Sequence, residues 1–365
     1  MSVRMIFVGG FLGAGKTTLL GQAAGLLARQ GKRVGLITND QAKNLVDTGI
    51  LQIGGFDTGE VAGGCFCCRI NDLLDVSSQL IKKHQPDIII GEPVGSCTDI
   101  SATVLNPMKK LHSDGYVVSP FSVLTDPDRL REALGEDRSG PLPYSVVYIF
   151  RKQLEEADAI VLNKADLLSP EVLRDLQTLV QQKYPGRPVF AMSAATGEGV
   201  DAWLDYVMSQ TKAGTRIVPV DYETYAEGEA VLGWLNATVS LRSHAPTDWR
   251  DYCTQFMGLF QTLTAEQSAE IAHVKLLMSA PGGIVLANMT GSCSAPLVRG
   301  QNPPPGQEAQ LIVNARVKMA PDGLRSIVEA CLKGANSAVA VEIVTLESFS
   351  PSPPTPVHRY GQVVE

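Results

Sequence analysis

Gly10-Phe11-Leu12-Gly13-Ala14-Gly15-Lys16-Thr17 is the stretch of sequence that decides the fold of the first part of the chain. It matches the pattern G-x-x-x-x-G-K-[ST], follows the apolar run Val3–Val8 and opens the amphipathic stretch Thr17–Gln30. A strand, a glycine-rich turn and a helix in this order form a loop whose backbone N–H groups surround phosphate oxygens. We therefore predict a nucleotide-binding loop in which Lys16 reaches the β- and γ-phosphates and the Thr17 hydroxyl ligates Mg²⁺.

Apolar runs alternate with amphipathic stretches through the first 210 residues, which is typical of a parallel sheet flanked by helices. We predict an α/β P-loop NTPase domain over residues 1–210, with a long polar loop between Thr38 and Gly64. The predicted strands are Val3–Val8, Arg33–Thr38, Asp87–Gly91, Tyr116–Leu124, Ala159–Leu162 and Pro188–Met192, and the predicted helices are Thr17–Gln30, Asn71–His84, Val146–Ala157, Pro170–Tyr184 and Val200–Gln210.

The pattern changes after Gln210. Residues 211–220 are predicted to form a linker, and residues 221–347 a smaller α+β C-terminal domain with helices on one face of a sheet. Residues 348–365 form a Pro/Ser-rich tail that is expected to be irregular.

The strand Asp87–Gly91 ends in Glu92, and Gly95 follows shortly after. In P-loop proteins a carboxylate at this place orients Mg²⁺ or its water, and a glycine N–H contacts the γ-phosphate. Lys16 and Glu92 are therefore the predicted catalytic residues, and Glu92 is also a candidate Mg²⁺ ligand. Asp40, which ends the preceding strand, and Asp47 are further candidates for Mg²⁺ or a transported metal; a solvated strand-end carboxylate is the alternative for each. The predicted phosphate contacts are Gly10, Gly13, Ala14, Gly15, Lys16, Thr17, Thr18 and Gly95.

Asn163-Lys164-Ala165-Asp166 follows the apolar strand Ala159–Leu162 directly. A carboxylate accepts two hydrogen bonds from the N1–H and N2–H₂ edge of guanine, whereas adenine has no such pair of donors. Asn163, Lys164 and Asp166 are thus predicted to read guanine, and Ser193 and Ala194 at the next strand end fit a backbone contact to the base. The alternative is a polar helix cap that starts a turn.

Cys65, Cys67 and Cys68 lie within four residues, at the end of the predicted polar loop. Reduced thiolates are soft ligands for Zn²⁺, Cu(I) and similar ions, and three of them occupy one face of a tetrahedron. The fourth ligand stays open between water, a histidine, Asp40, Asp47, Glu92 and Cys97. Buried small hydrophobes or a redox pair are the alternatives. The isolated Cys253, Cys293 and Cys331 are predicted to pack in cores.

The composition excludes several classes of protein. A net charge of −7 with scattered Lys and Arg gives no basic field for nucleic acid. No run approaches the ~18 apolar residues of a membrane span, so no membrane partner is expected. Seven cysteines, an odd number, and an N-terminus without a signal-peptide pattern predict reduced thiols in the cytoplasm.

Four motifs together resemble the CobW family of P-loop GTPases: GGFLGAGKTT at 9–18, GGCFCC at 63–68, EPVG at 92–95 and NKAD at 163–166. The resemblance covers about residues 1–210, whereas 221–346 resembles the C-terminal domain of the family in size and element order alone. The resemblance implies GTP, Mg²⁺, a transition metal such as zinc or cobalt at the Cys-x-Cys-Cys loop, and a metallochaperone role.

Two departures from the family pattern bear on the metal. Residues 39–42 read Asn-Asp-Gln-Ala where the family usually carries Asn-Glu-aromatic-Gly, and the histidine-rich stretch of many members is missing, so metal storage is not supported. The leading hypothesis is a GTP hydrolase, slow without a partner because no catalytic base is evident, that couples nucleotide state to metal binding and delivery. Its expected partner is a client metalloenzyme or corrinoid protein. The alternative is a chaperone that loads or repairs a cobalamin-dependent enzyme. The metal, the client and the oligomeric state, including a homodimer, are left open.

Overall fold

The computed structural model describes residues 2–41, 46–135, 142–292 and 294–365, and this part of the chain divides into two compact units. The first contains the residues up to Gln41, Leu51–Gly228 and Pro353–Glu365. The second contains the described part of 42–50 and Glu229–Ser352. The prediction for Cys293 falls outside the described residues.

A parallel sheet forms the centre of the first unit, in the strand order β3-β2-β4-β1-β6-β7-β8, with β5 also paired to β1. Its strands are β1 (Val3–Gly10), β2 (Val34–Asp40), β3 (Asp57–Ala62), β4 (Ile88–Glu92), β5 (Tyr116–Val118), β6 (Ser122–Thr125), β7 (Ala159–Leu162) and β8 (Val189–Ala191). Apart from the edge strand β3, the strands are mostly apolar and buried, since helices cover both faces of such a sheet. Since all strands run in one direction, their carboxyl ends meet at one edge, where open α/β sheets bind ligands.

The helices of this unit are α1 (Lys16–Arg29), α2 (Val46–Ile53, whose first residues belong to the second unit), α3 (Ile70–His84), α4 (Asn106–Leu111, preceded by a π-helical turn, Ser101–Leu105), α5 (Pro127–Leu134), α6 (Tyr144–Glu156), α7 (Pro170–Lys183), α8 (Val200–Ser209) and α9 (Tyr222–Ala230, whose last two residues belong to the second unit), with a 3₁₀ turn at Ala165–Leu167. Helix α1 buries Leu19, Leu20, Ala23 and Leu27 against the sheet, as the apolar period predicts. Each fully buried leucine contributes about 2 kcal/mol, which holds the helix at the end of the phosphate loop.

Two details of the predicted order are wrong. The interval between Thr38 and Gly64 is not a polar loop, because it contains helix α2 and strand β3. Strand β3 pairs with β2 at the edge of the sheet and is mostly half-exposed, so it has no apolar run by which to recognise it. The predicted strand Tyr116–Leu124 is two strands, β5 and β6, interrupted near Pro120, which has no N–H to donate to a neighbouring strand.

The second unit is a six-stranded antiparallel sheet with two helices packed on one face, as predicted for the C-terminal part. Its strands are β9 (Gly233–Thr247), β10 (Glu270–Ala280), β11 (Gly283–Met289), β12 (Leu297–Arg299), β13 (Gly306–Lys318) and β14 (Val339–Phe349), and its helices are α10 (Trp249–Glu266) and α11 (Pro321–Gly334). Alternate residues of β9, from Leu235 to Leu241, face the same core as Cys253 and Cys331. These two cysteines are fully buried, which agrees with their predicted packing role.

Candidate functional site

The loop Gly10–Thr17 connects β1 to α1, so the site begins with an element that the sequence encodes locally. Gly15 has φ 95° and caps α1; a side chain there would also collide with the Nδ2 atom of Asn163. The buried Lys16 side chain reaches back across the loop, where its Nζ donates to the carbonyl oxygen of Gly10 at 2.8 Å. The ammonium group is thereby held inside the loop, the place where phosphate charge requires a cation.

Thr17 and Glu92 place two oxygen atoms of the kind that ligate metal ions beside Lys16. The Thr17 hydroxyl donates to Glu92 Oε2 at 2.9 Å, and Lys16 Nζ lies 3.7 Å from Glu92 Oε1. All three side chains are buried. Adjacent hydroxyl and carboxylate oxygens are the hard ligands that Mg²⁺ prefers, so the residues present fit this ion.

The other two candidate carboxylates have different surroundings. Asp40 ends β2, and its Oδ1 accepts a hydrogen bond from the Gln41 amide at 2.6 Å. Asp47 belongs to the second unit, where both of its carboxylate oxygens lie 2.8 Å from Lys275 Nζ. The charge of Asp47 is thus compensated by a lysine rather than directed at a shared ion. Asp126 caps α5 by accepting from the Asp128 and Arg129 amides.

Asn163 joins the phosphate loop to the predicted base-binding loop. Its Nδ2 donates to the carbonyl oxygen of Ala14 at 2.7 Å, and its Oδ1 accepts from the Ala194 amide at 2.9 Å. Lys164 adopts a left-handed conformation, with φ 59°, and Asp166 is exposed on the turn that follows. The segments that carry Asn163, Asp166 and Ala194 therefore lie together at the carboxyl edge of the sheet, beside the phosphate loop.

Asn39 is a positioning residue that the sequence analysis did not identify. Its Nδ2 donates to the carbonyl oxygens of Val61 and Gly64 at 2.9 and 2.7 Å, and its Oδ1 accepts from the Phe66 amide at 2.8 Å. The contacts with Gly64 and Phe66 fasten the cysteine loop to the end of β2, and the contact with Val61 adds a link to β3. The available signal is an Asn beside the end of an apolar strand, and many strands without such a role share it.

Cys65, Cys67 and Cys68 form a compact thiol cluster, as their spacing predicts. The Sγ atom of Cys65 lies 2.7 Å from that of Cys67 and 3.3 Å from that of Cys68, and the Sγ atoms of Cys67 and Cys68 are 3.7 Å apart. Cys65 and Cys67 are buried and Cys68 is half-buried. Hydrogen bonds with the Cys65 and Cys68 thiols, together with burial, raise the pKa of the Cys67 thiol well above its usual range. A soft cation is the natural partner for such a group, because it displaces the protons.

The segment 92–99 connects the phosphate site to the thiol cluster. Gly95 lies against Leu12 of the phosphate loop, where an added Cβ would come within 2.6 Å of the leucine side chain. Cys97, two residues later, places its Sγ 3.9 Å from that of Cys67. Gln153 of α6 fixes the segment, since its Nε2 donates to the carbonyl oxygens of Gly95 and Cys97 at 3.0 and 2.8 Å.

Glu156, one turn after Gln153, holds the end of this segment. It accepts from the Thr98 hydroxyl at 3.0 Å and from the Ser101 amide at 2.9 Å. Burial raises the pKa of Glu156 to about 8, and the nearby Asp99 carboxylate adds to the shift. Burial also raises the pKa of Asp99. The sequence signal for both α6 residues is a polar side chain on the apolar face of a helix.

The C-terminal tail of the first unit runs over the thiol cluster. The Thr355 amide donates to Cys68 Sγ at 3.2 Å, and the Val357 amide donates to the Cys67 carbonyl oxygen at 3.1 Å. Further along, Arg359 Nε donates to Asp99 Oδ2 at 2.7 Å. The tail is irregular, as expected, but its backbone is engaged at defined positions because it follows the segment that carries Asp99.

These features define a P-loop nucleotide-binding protein with a thiol cluster close to its phosphate loop. The model of the nucleotide-binding domain of the CobW/HypB/UreG family matches residues 4–191, slightly more than half of the chain. The chain therefore belongs to the CobW/HypB/UreG family, and the resemblance drawn from its motifs is confirmed. Within the described residues, no helix combines the length and apolar character required to cross a membrane.

Curated relatives are similar to this chain over part of their length. The zinc chaperone CobW of Sinorhizobium sp is 30% identical over 208 residues, which cover 52% of this chain and 58% of that protein. The zinc chaperone YeiR of Escherichia coli (strain K12) is 30% identical over 189 residues, which cover 49% of this chain and 52% of that protein. The chain thus spans about half the length of these relatives. A solved structure, HypB from Helicobacter pylori in complex with nickel, is 18% identical with a TM-score of 0.42, covering 57% of this chain and 87% of that one.

Proposed function

We propose that this protein hydrolyses GTP and couples its nucleotide state to the binding and delivery of a transition metal, zinc or cobalt. The observation that carries the proposal is the segment 92–99. At one end its Glu92 carboxylate accepts from Thr17 of the phosphate loop, and at the other end Cys97 touches the thiol cluster. A change at the phosphate site therefore has a short covalent path to the metal site.

On the nucleotide side, Lys16 is the residue that offsets phosphate charge, and Thr17 and Glu92 are the residues that would hold Mg²⁺. When bound, the ion neutralises charge on the transferred phosphoryl group. Hydrolysis depends on positioning and electrostatic stabilisation, and the buried Lys16 and the loop amides supply both. We expect slow unassisted turnover, because none of the residues assigned to the nucleotide site is a strong general base.

Selection of guanine is assigned to Asp166. Its carboxylate is exposed on the turn that follows Lys164, and Asn163 ties this turn to the phosphate loop through Ala14. The Ala194 amide lies in the same group of contacts through Asn163 Oδ1. A base bound beside the phosphate loop would then meet the carboxylate with its two donor groups.

On the metal side, Cys65, Cys67 and Cys68 are the proposed ligands. Soft thiolates favour zinc over Mg²⁺, so the two ions are sorted by ligand type between the two sites. The names of the two curated relatives, both zinc chaperones, support zinc as the first metal to test. Thiol ligands must stay reduced, which supports the cytoplasm as the compartment and a metalloprotein as the client.

The test is a zinc titration of the protein in three states: with a non-hydrolysable GTP analogue and Mg²⁺, with GDP and Mg²⁺, and without nucleotide. If GTP orders the segment 92–99, zinc affinity rises at least about fivefold over the other states, and zinc raises GTP affinity by the same factor. A parallel titration with cobalt compares the two metals. The matched control is an ATP analogue, which is expected to leave zinc affinity unchanged. Equal zinc affinities in all three states would contradict the proposed coupling.

A further inference from the structure

Two of the sulfur separations among the four cysteines of the first unit match the edge of a tetrahedral zinc site. In a tetrahedral zinc site with Zn–S bonds of about 2.3 Å, neighbouring sulfur atoms are about 3.8 Å apart. The Sγ atoms of Cys67 and Cys68 are 3.7 Å apart, and those of Cys67 and Cys97 are 3.9 Å apart. Cys97 therefore lies one tetrahedron edge from Cys67, on a different segment from the triplet.

Two backbone contacts hold Cys97 at this place. Its amide donates to the Val94 carbonyl oxygen at 2.9 Å, which closes a turn. Its carbonyl oxygen accepts from Gln153 Nε2 at 2.8 Å. The residue is 2% exposed, so a bound ion would meet this thiol inside the protein and not in solvent.

The carboxylates named as alternative fourth ligands are occupied in other ways. Glu92 pairs with Thr17, Asp47 pairs with Lys275, and Asp40 accepts from the Gln41 amide. Among the described His, Cys, Asp and Glu residues, the thiols of Cys65, Cys67 and Cys68 form the group close enough to share an ion. Cys97 extends that group through Cys67.

We propose that Cys97 is the fourth thiolate of this site, which makes it a closed four-sulfur site for zinc rather than a three-sulfur site with an open position. The inference rests on the proposed function and deepens it, because the fourth ligand lies on the nucleotide-side segment itself. Cys97 follows Glu92 by five residues and Gly95 by two. Movement of this segment when the nucleotide changes would withdraw one of four ligands, and the remaining three would hold zinc less tightly.

The tail provides the outer contacts that such a site needs. Ligand sulfur atoms in metal sites are oriented by hydrogen bonds from a second layer of groups. The Thr355 amide supplies one to Cys68, the most exposed of the four thiols, and the Val357 amide holds the carbonyl of Cys67. The cluster therefore has three buried thiols on one side and an ordered stretch of backbone over the fourth.

Zinc K-edge X-ray absorption of the full chain, loaded with one equivalent of zinc in the presence of a non-hydrolysable GTP analogue and Mg²⁺, tests this inference directly. We expect four sulfur atoms at about 2.3 Å. Three sulfur atoms with one oxygen or nitrogen at about 2.0 Å would overturn the assignment of Cys97. Because this measurement uses the unaltered protein, it does not depend on whether a variant folds.

The variant Cys97→Ala adds a second measurement, with Cys253→Ala as a matched control that removes a buried thiol from the other unit. We expect Cys97→Ala to show three sulfur neighbours and at least about tenfold weaker zinc binding, while the control keeps four sulfurs and its affinity. With Co²⁺ as a probe, the thiolate charge-transfer band falls by about a quarter in Cys97→Ala. An unchanged band and affinity in that variant would overturn the inference.

Failure of the inference and failure of the proposed function have different signatures. Three sulfur neighbours with nucleotide-dependent zinc affinity would remove Cys97 from the ligand set and leave the metal-coupled GTPase intact. A four-sulfur site whose zinc affinity ignores nucleotide would keep Cys97 as a ligand and contradict the coupling. The absorption spectrum and the three-state titration therefore report on the two statements separately.

Discussion

The phosphate loop and the thiol cluster lie in the same compact unit and are built in opposite ways. The phosphate loop is eight consecutive residues between one strand and one helix, and its lysine is held by carbonyls of the same loop. The thiol cluster draws on the loop 65–68, Cys97 and the tail near Thr355, three segments far apart in the chain. Local backbone geometry therefore decides the first site, and packing between segments decides the second.

This difference teaches where each site is vulnerable. A contiguous loop loses its function when one of its own side chains is removed, and the rest of the fold compensates little. An assembled cluster responds to residues that touch no ion, because Asn39, Gln153 and Arg359 hold the segments that carry the ligands or cover them. The predictions below separate these two kinds of dependence.

The largest expected effect belongs to Lys16→Ala. Removal of the ammonium group leaves phosphate charge uncompensated in a buried loop, so we expect GTP hydrolysis to fall by about a hundredfold to a thousandfold. Steady-state phosphate release measures it, with circular dichroism to show that the fold is kept. Lys82→Ala, an exposed lysine on α3, is the control. Turnover within twofold of the unaltered protein would place hydrolysis outside this loop.

The next largest effect is expected from Asp166→Asn. The variant loses two charge-assisted hydrogen bonds to guanine, so GTP affinity is expected to fall about a hundredfold, equivalent to about 3 kcal/mol. The affinity for xanthosine triphosphate should rise, because its C2 carbonyl accepts a hydrogen bond from the amide of the new asparagine. Competition binding with GTP, ATP and xanthosine triphosphate checks this, with Asp175→Asn on the exposed face of α7 as the control. The assignment fails if the unaltered protein binds ATP as well as GTP.

Glu156→Gln tests the segment 92–99 through stability and pH. The folded protein holds the Glu156 proton up to about pH 8, whereas the unfolded chain releases it near 4.5, so the folded state binds the extra proton between these values. The free energy of unfolding therefore falls as pH rises through this window, by at most about 1.4 kcal/mol per pH unit. The neutral glutamine removes this loss. We therefore expect the free energy of unfolding of the variant, relative to that of the unaltered protein, to rise by about 2 kcal/mol from pH 5 to pH 8.

Urea unfolding at pH 5, 6.5 and 8 measures the Glu156→Gln difference. Glu155→Gln is the matched control, because the Glu155 carboxylate is next to Glu156 in the chain, is partly exposed and pairs with Lys152. A difference that stays constant with pH, or one that shrinks toward pH 8, would mean that Glu156 is ionised in the folded protein. Glu156 would then carry a negative charge at the end of the segment instead of a proton.

The smallest effect is expected from Arg359→Ala. Loss of the contact with Asp99 removes one of the links between the tail and the segment beside the thiol cluster, and an ion pair with a partly exposed arginine contributes about 1 kcal/mol. We expect zinc to leave the loaded protein about threefold to tenfold faster when it is transferred to an excess of chelator. Arg242→Ala, an exposed arginine of the second unit, is the control. An unaltered release rate would show that the tail does not restrain the ion.

The sequence determined the nucleotide-binding fold and its family, because the phosphate loop and the strands and helices around it are written as local patterns. The parallel sheet, the helices on its faces and the antiparallel second unit agree with these patterns. The edge strand β3 and helix α2 were not predicted. For β3 the reason is that a half-exposed edge strand has no apolar run. The domain limits of 1–210 and 221–347 and the individual nucleotide-contacting and metal-ligating residues stay predictions.

Only the tertiary structure decided what surrounds the cysteine triplet. Cys97 is 30 residues from Cys67, and Thr355 is 287 residues from Cys68, so no local pattern connects them. The sequence left six candidates for the fourth ligand. The distance between the Cys67 and Cys97 sulfur atoms in the folded chain is the reason to test Cys97 first. Backbone propensity acts over a few residues, whereas the position of a side chain across a sheet depends on how whole elements pack. The motif therefore predicts a metal site, and the packing of distant segments against it indicates which residues to test as its completion.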